Sequence, residues 1–131
     1  MAFSTARKIL LVDDSATALT MHRMILDSQG YRVVTAQDGE EAVRLAVLEQ
    51  PDLILMDVVM PRKTGFEAVK ELRSIESTRL IPVIMVTTRA EPKVLEICFQ
   101  AGCNDYVSKP VDGAVLLAKV RSLLSAGAGV I

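Results

Sequence analysis

The sequence predicts an α/β domain, a parallel sheet of five strands covered by helices on both faces. Five strand-sized apolar runs alternate with longer stretches whose apolar residues recur at helical spacing. The connections are short, and such alternation builds parallel strands joined by crossover helices. The central run, Leu53 to Met56, is apolar without interruption, the pattern of a strand buried on both faces.

Each element has a local reason. Lys8 to Val12 is a buried-strand run that ends in two carboxylates, Asp13 and Asp14. Ser15 can cap the helix that follows, whose stripe is read as Ala18, Met21 and Ile25 before Gly30 stops it. Tyr31 to Ala36 reads as the second strand. Asp38 and Glu41 then have capping-box spacing for a helix through Ala42, Leu45 and Ala46, ended by Pro51. The central strand ends in Asp57, and the chain turns through Met60 and Pro61 to Gly65. Thr64 and Glu67 repeat the capping-box spacing ahead of Phe66, Val69 and Leu72. Ile81 to Val86 is the fourth strand, with Pro82 near its start, followed by Thr87 and Thr88. Glu91 and Pro92 open a helix that Gly102 closes. Asn104 to Ser108 is a shorter, more polar strand suited to a sheet edge. Lys109 and Pro110 follow it, and Asp112 caps a last helix through Leu116, Leu117, Val120 and Leu124. The expected domain is 1–125, with 126–131 a flexible tail or the start of a linker.

At 131 residues the chain is one domain, and half its residues are apolar, an ordinary globular composition. Fifteen basic against sixteen acidic residues leave no basic field, which speaks against nucleic-acid binding. Cys98 and Cys103 lack partners at zinc spacing and read as two reduced, partly buried thiols. Met1 to Lys8 has no apolar core of signal-peptide length, and no run is long enough to span a bilayer. The expectation is a cytoplasmic protein with no membrane partner.

The unusual polar residues fall immediately after strands. Asp13 and Asp14 follow the first, Asp57 the third, Thr87 the fourth and Lys109 the fifth. In a parallel sheet these ends share one edge, where open α/β sheets bind ligands. Taken singly, Asp14 could be a helix cap, Thr87 a turn hydroxyl and Lys109 a solvated charge. Together, three carboxylates repel unless a cation joins them, and hard oxygen donors with room for water suit Mg²⁺. A lysine and a threonine add what a phosphoryl oxygen needs. The chemistry implied is phosphoryl transfer with a carboxylate nucleophile.

This pattern resembles the receiver domain of two-component response regulators, above all single-domain regulators of the CheY type. The resemblance runs from about Lys8 to Leu124. It is carried by Asp13-Asp14, by Asp57 with Met60, Pro61 and Gly65, by Val86-Thr87, and by Ala101 to Pro110 with Tyr106 and Lys109. It implies a doubly wound, flavodoxin-like three-layer sandwich of five βα units in strand order 2-1-3-4-5, the order tied to CheY among such folds. It also implies that Asp57 takes a phosphoryl group from a histidine kinase or phosphotransfer protein. Asp13, Asp14, Asp57 and the backbone carbonyl of Val59 would hold Mg²⁺, with Mn²⁺ a substitute, and Lys109 would pair with the phosphoryl group. Thr87 and Tyr106 would form the switch, and Pro110 would follow a cis peptide. The output face would be the fourth helix, fifth strand and fifth helix, read by a protein such as a motility or chemotaxis component. Such a chain is no conventional enzyme but would catalyse its own phosphorylation and, with a water, dephosphorylation.

Three residues depart from common receiver patterns: Val59, Thr88 and Arg89, all flanking the expected site. Two rival readings stand against it, and the intact set of Asp13, Asp14, Asp57, Thr87 and Lys109 argues against the first. A pseudo-receiver would keep the fold as an interaction module without the switch. A Mg²⁺-dependent phosphatase or nucleotide enzyme would need a phosphate-binding glycine loop, and none is present. His22, beside the first helix's stripe, reads as a packing or surface residue and not a phosphorelay histidine.

Overall fold

Alternating residues of each central strand feed opposite faces of one sheet, and this separates two cores. The computed structural model describes residues 6–89 and 91–129. Its elements are β1 (Lys8–Val12), α1 (Ala16–Asp27), β2 (Arg32–Ala36), α2 (Gly39–Glu49), β3 (Leu53–Asp57), α3 (Gly65–Ser74), β4 (Val83–Thr87), α4 (Pro92–Ala101), β5 (Asp105–Ser108) and α5 (Gly113–Gly129). All pairings are parallel, in the order β2-β1-β3-β4-β5. Ile9, Leu11, Leu53, Leu55, Ile84 and Val86 pack under α1 and α5. Leu10, Val12, Ile54, Met56, Val83 and Met85 pack under α2, α3 and α4. The expected three-layer sandwich is therefore the structure, and the uninterrupted apolar run of β3 serves both layers.

The local stop and start signals act as read. Ser15, Asp38 and Thr64 accept hydrogen bonds from the amides of Ala18, Glu41 and Glu67 at 3.2, 2.8 and 3.2 Å. Asp112 caps α5 through the amides of Ala114 and Val115. The Thr64–Glu67 box is reciprocal, whereas Glu41 reaches back one residue further, to the amide of Gln37. Gly102, at φ 112°, closes α4, and Cys103 N–H bonds the Cys98 carbonyl across it. That is a Schellman turn, with the two buried thiols in the position of its apolar contact. Burial and the neighbouring thiol push Cys103 up to about 12, so both cysteines stay as unreactive thiols at neutral pH.

Two expectations are corrected. The buried stripe of α1 is Leu19, His22 and Leu26, while Met21 is 58% exposed. One residue is about 100° on a helix, and α1 carries apolar side chains on both candidate faces. The fourth strand begins at Val83, because Pro82 has no N–H to donate and Val83 N–H goes to the Asn104 side chain at 2.9 Å. Helix α5 runs through Gly129, alanine at 126 and 128 being a strong helix former. Residues 130 and 131 lie outside the described residues. No described helix is long and apolar enough to cross a membrane.

A half-buried guanidinium joins the elements away from the site. Arg73 of α3 donates to the carbonyls of Gly102 and Ile81 and to Asn104 Oδ1, at 3.0, 2.8 and 3.1 Å. It pins the end of α4 to the start of β4, which leaves the opposite edge of the sheet to carry chemistry.

Candidate active site at the carboxyl ends of the strands

Parallel pairing of β1 with β3 sets Val12 beside Met56, so the next residue of each, Asp13 just after β1 and Asp57 at the end of β3, become neighbours. The amide of Asp13 still bonds the Ala36 carbonyl at 3.1 Å, which holds its backbone in the sheet. Its side chain is divided. Oδ1 accepts from the Ser15 amide at 2.9 Å, and Oδ2 accepts from Lys109 Nζ at 2.9 Å. Lys109 reaches across from the end of β5 and also donates to Asp57 Oδ2 at 3.3 Å. Its backbone amide bonds the Thr87 carbonyl at 2.8 Å, and the peptide that follows, Lys109–Pro110, is cis. Asp14 is exposed at the rim. One carboxylate oxygen from each of Asp13, Asp14 and Asp57 lies within 4.8 Å of the others.

The charges at this edge do not balance. Asp13 and Asp57 are 1% and 7% exposed, and one ammonium faces three carboxylates. Burial, and then the Asp13 charge, raise Asp57 above the usual carboxylate range, against the opposing pull of Lys109 and the Val59 amide. Burial would lower Lys109, but its bond to Asp13 and the charges of Asp57 and Asp13 hold it above its ordinary value. The cluster is thus short of positive charge. Three hard oxygen ligands open to solvent on the Asp14 side fit a Mg²⁺-sized ion that keeps part of its water shell.

The remaining expected residues are nearby but differently engaged. Thr87 is buried at the end of β4. Its hydroxyl accepts from the Arg89 amide at 2.9 Å and bonds the Arg89 carbonyl at 3.2 Å, within its own loop. Arg89 is itself paired with Glu91 at 3.1 Å. Val59 is 74% exposed between the buried side chains of Val58 and Met60. Tyr106 is half-buried on β5, with Lys119 Nζ 4.7 Å above its ring and bonded to its carbonyl at 2.8 Å. Lys119 also pairs with Asp105 at 2.9 Å.

A sequence profile described as "Response regulator receiver domain" matches residues 9–121, most of the chain. The chain belongs to the receiver family. It is 39% identical over 118 residues to Protein PilH of Pseudomonas aeruginosa, which it matches over 90% of this chain and 98% of PilH. It is 41% identical to the Transcriptional regulatory protein CpxR of Klebsiella pneumoniae, over 89% of this chain but 49% of CpxR. It therefore spans about half of that relative. The solved receiver domain of sensor histidine kinase PA1611 from Pseudomonas aeruginosa superposes with a TM-score of 0.87 at 38% identity, covering 92% of this chain and 99% of that one. That structure has a magnesium ion coordinated in its active-site cleft. Receiver domains bind Mg²⁺ at such an acidic cluster, interact with histidine kinases or phosphotransfer proteins, and are typically phosphorylated on aspartate.

Sequence reading assembled the acids and Lys109 and took His22 for a packing or surface residue, but it missed the Arg62 partner of Asp38 and the part played by Lys119. His22 is 5% exposed and its Nδ1 has no partner among the described residues; burial lowers its pKa, so it packs as a neutral imidazole. Asp38 was legible as a cap, but its second oxygen accepts from Arg62 Nη1 at 2.7 Å. Lys119 carried no signal beyond a helical position facing β5. Such pairs, far apart in sequence, have no local signature.

Proposed function

We propose that Asp57 accepts a phosphoryl group from a phosphohistidine of a kinase or phosphotransfer protein. The observation that carries this is the Lys109 ammonium bridging Asp13 and Asp57, with Asp14 beside them. An Asp57 oxygen attacks phosphorus, the new P–O bond forms, and the N–P bond breaks with its electron pair leaving on the imidazole. Lys109 can follow the charge onto the phosphoryl oxygens, since it already sits between the two acids. Mg²⁺, or Mn²⁺ in its place, would be held by Asp13, Asp14, Asp57 and the Val59 carbonyl, where it neutralises phosphoryl charge.

The switch follows from charge. Phosphorylation adds about -1.5 to -2 charge and three acceptor oxygens at Asp57. The Thr87 hydroxyl then exchanges its Arg89 backbone partners for a phosphoryl oxygen, the end of β4 shifts, and Tyr106 repacks. We place the output on the α4-β5-α5 face, where Phe99 and Val115 are exposed and suit an apolar protein contact. We read 1–125 as the receiver unit of a cytoplasmic signalling protein, with 126–131 leading out of it.

Intact mass after incubation with Mg²⁺ and acetyl phosphate tests the reading. Wild type is expected to gain one phosphoryl group, with none gained when Mg²⁺ is chelated or in Asp57→Ala. No gain in wild type, with Mg²⁺ binding confirmed, would make the chain a phosphorylation-independent interaction module. A second outcome concerns the lifetime of the phosphate. Val59 presents an exposed apolar side chain at the rim, which cannot orient an attacking water. Val59→Asn is expected to lose phosphate several-fold faster, measured by decay of the phosphorylated mass. Equal decay rates would remove Val59 from the account.

A further inference from the structure

The loop between β3 and α3, residues 58–64, is held from outside by the N-terminus of α2, through the cap residue Asp38 and the first helical residue Gly39. Arg62 Nη1 bonds Asp38 Oδ2 at 2.7 Å, and the next residue, Gly39, lies so close to Lys63 that a Cβ there would be 2.3 Å from the Lys63 carbonyl oxygen. Asp38 therefore has two tasks, with Oδ1 capping α2 and Oδ2 fixing Arg62.

The loop needs such support. Arg62 has φ 69°, and the Lys63 amide bonds the Pro61 carbonyl at 2.8 Å around it, a γ-turn of the strained hand. A non-glycine residue keeps such a conformation only where its surroundings overdetermine it. Upstream, the loop is anchored in the core. Val58 N–H bonds the Val86 carbonyl at 3.0 Å, and Val58 O accepts from Gly65 N–H at 2.9 Å. Val59 lies between that anchor and the strained turn. Its carbonyl is the fourth oxygen proposed for the metal, and it belongs to the least supported part of the site.

We propose that Asp38 and Arg62 are positioning residues, a clamp that sets the β3–α3 loop, and with it the Val59 carbonyl, for divalent-cation binding. This rests on the metal reading of the site given above. The clamp acts through geometry and touches no reacting atom. It also couples the N-terminus of α2 to the metal site, so a partner that bound Asp38 or Arg62 would loosen the site without occupying it.

Two variants separate the clamp from the cap. Arg62→Ala removes the cation, and Asp38→Ser keeps a capping oxygen for α2 but removes the charge. Calorimetric Mg²⁺ titration of each full chain is expected to show affinity about two- to fivefold weaker, the range of one exposed ion pair. The double variant should be no weaker than the worse single, and Arg62→Lys should recover most of the loss. Amide hydrogen exchange of the metal-free protein gives a second readout. Lys63 and Gly65 should exchange faster in both variants, with Leu55 in the central strand unchanged. Unchanged Mg²⁺ affinity and exchange in both singles, or additive losses in the double, would overturn the clamp. If wild type itself binds no Mg²⁺, the metal reading fails, and the exchange data still decide whether Asp38 and Arg62 hold the loop.

Discussion

Asp57→Asn is expected to abolish phosphoryl uptake and, without metal, to yield a protein more stable than wild type at pH 7. The gain should appear as a Tm raised by a few degrees in a domain of this size. The reason is the charge excess at the strand ends. Asp57 is buried beside Asp13, and both effects raise its pKa in the folded state. Lys109 keeps its closer bond, to Asp13 at 2.9 Å, when Asp57 is neutralised.

A carboxylate whose folded pKa is raised favours folding while protonated. That contribution is complete below the unfolded value, near pH 4, and is lost as pH rises through the raised folded value. The wild-type and Asp57→Asn stability curves should therefore converge at low pH and separate as pH rises toward 7. Mg²⁺ should close the gap by stabilising wild type more than the variant. Thermal melts across pH 3–8, with and without Mg²⁺, check both points. A variant less stable than wild type at pH 7 in the absence of metal would mean that Asp57 is satisfied by Lys109 and carries no excess charge.

Gly65→Ala is expected to destabilise the fold by about 2–4 kcal/mol, a large share of a small domain's stability. A Cβ there would lie 2.4 Å from the Asp57 carbonyl oxygen, 2.8 Å from Met85 Cε and 3.0 Å from Val58 Cα. The methionine could rotate away, but the other two atoms belong to the backbone of β3 and the residue after it. Relief must come from moving α3 or the end of the strand that carries Asp57. Urea denaturation should show a lower midpoint with an unchanged slope, and phosphoryl uptake at Asp57 should slow along with it. Gly113→Ala is the matched control. Its Cβ would meet nothing closer than Ile25 at 3.6 Å, and alanine favours the helix, so its effect should be neutral or slightly stabilising. A Gly65→Ala protein as stable as Gly113→Ala would show that the start of α3 yields readily.

Much of this receiver is written in short stretches of chain. Ser15, Asp38, Thr64 and Asp112 each cap a helix through amides two or three residues away, and covalent geometry alone brings those groups together. Strand runs and their terminal acids are equally local. Once the strands are parallel, Asp13, Asp57 and Lys109 must share one edge, so the core of the site was legible before any coordinates.

Packing between distant segments decided the rest. Helix α1 has an apolar residue on either side of its true stripe, and only its seat against the sheet chose His22 over Met21. Thr87 sits where the strand pattern put it, but its hydroxyl direction depends on the turn that Arg89 makes. Arg62 meets Asp38, and Arg73 meets Gly102 and Asn104, across 24 to 31 residues of chain. A polar side chain far from its partner in sequence looks like any solvated one. What distinguishes it is the set of unpaired oxygens and amides that the folded backbone turns toward it, and those exist only once the layers have packed.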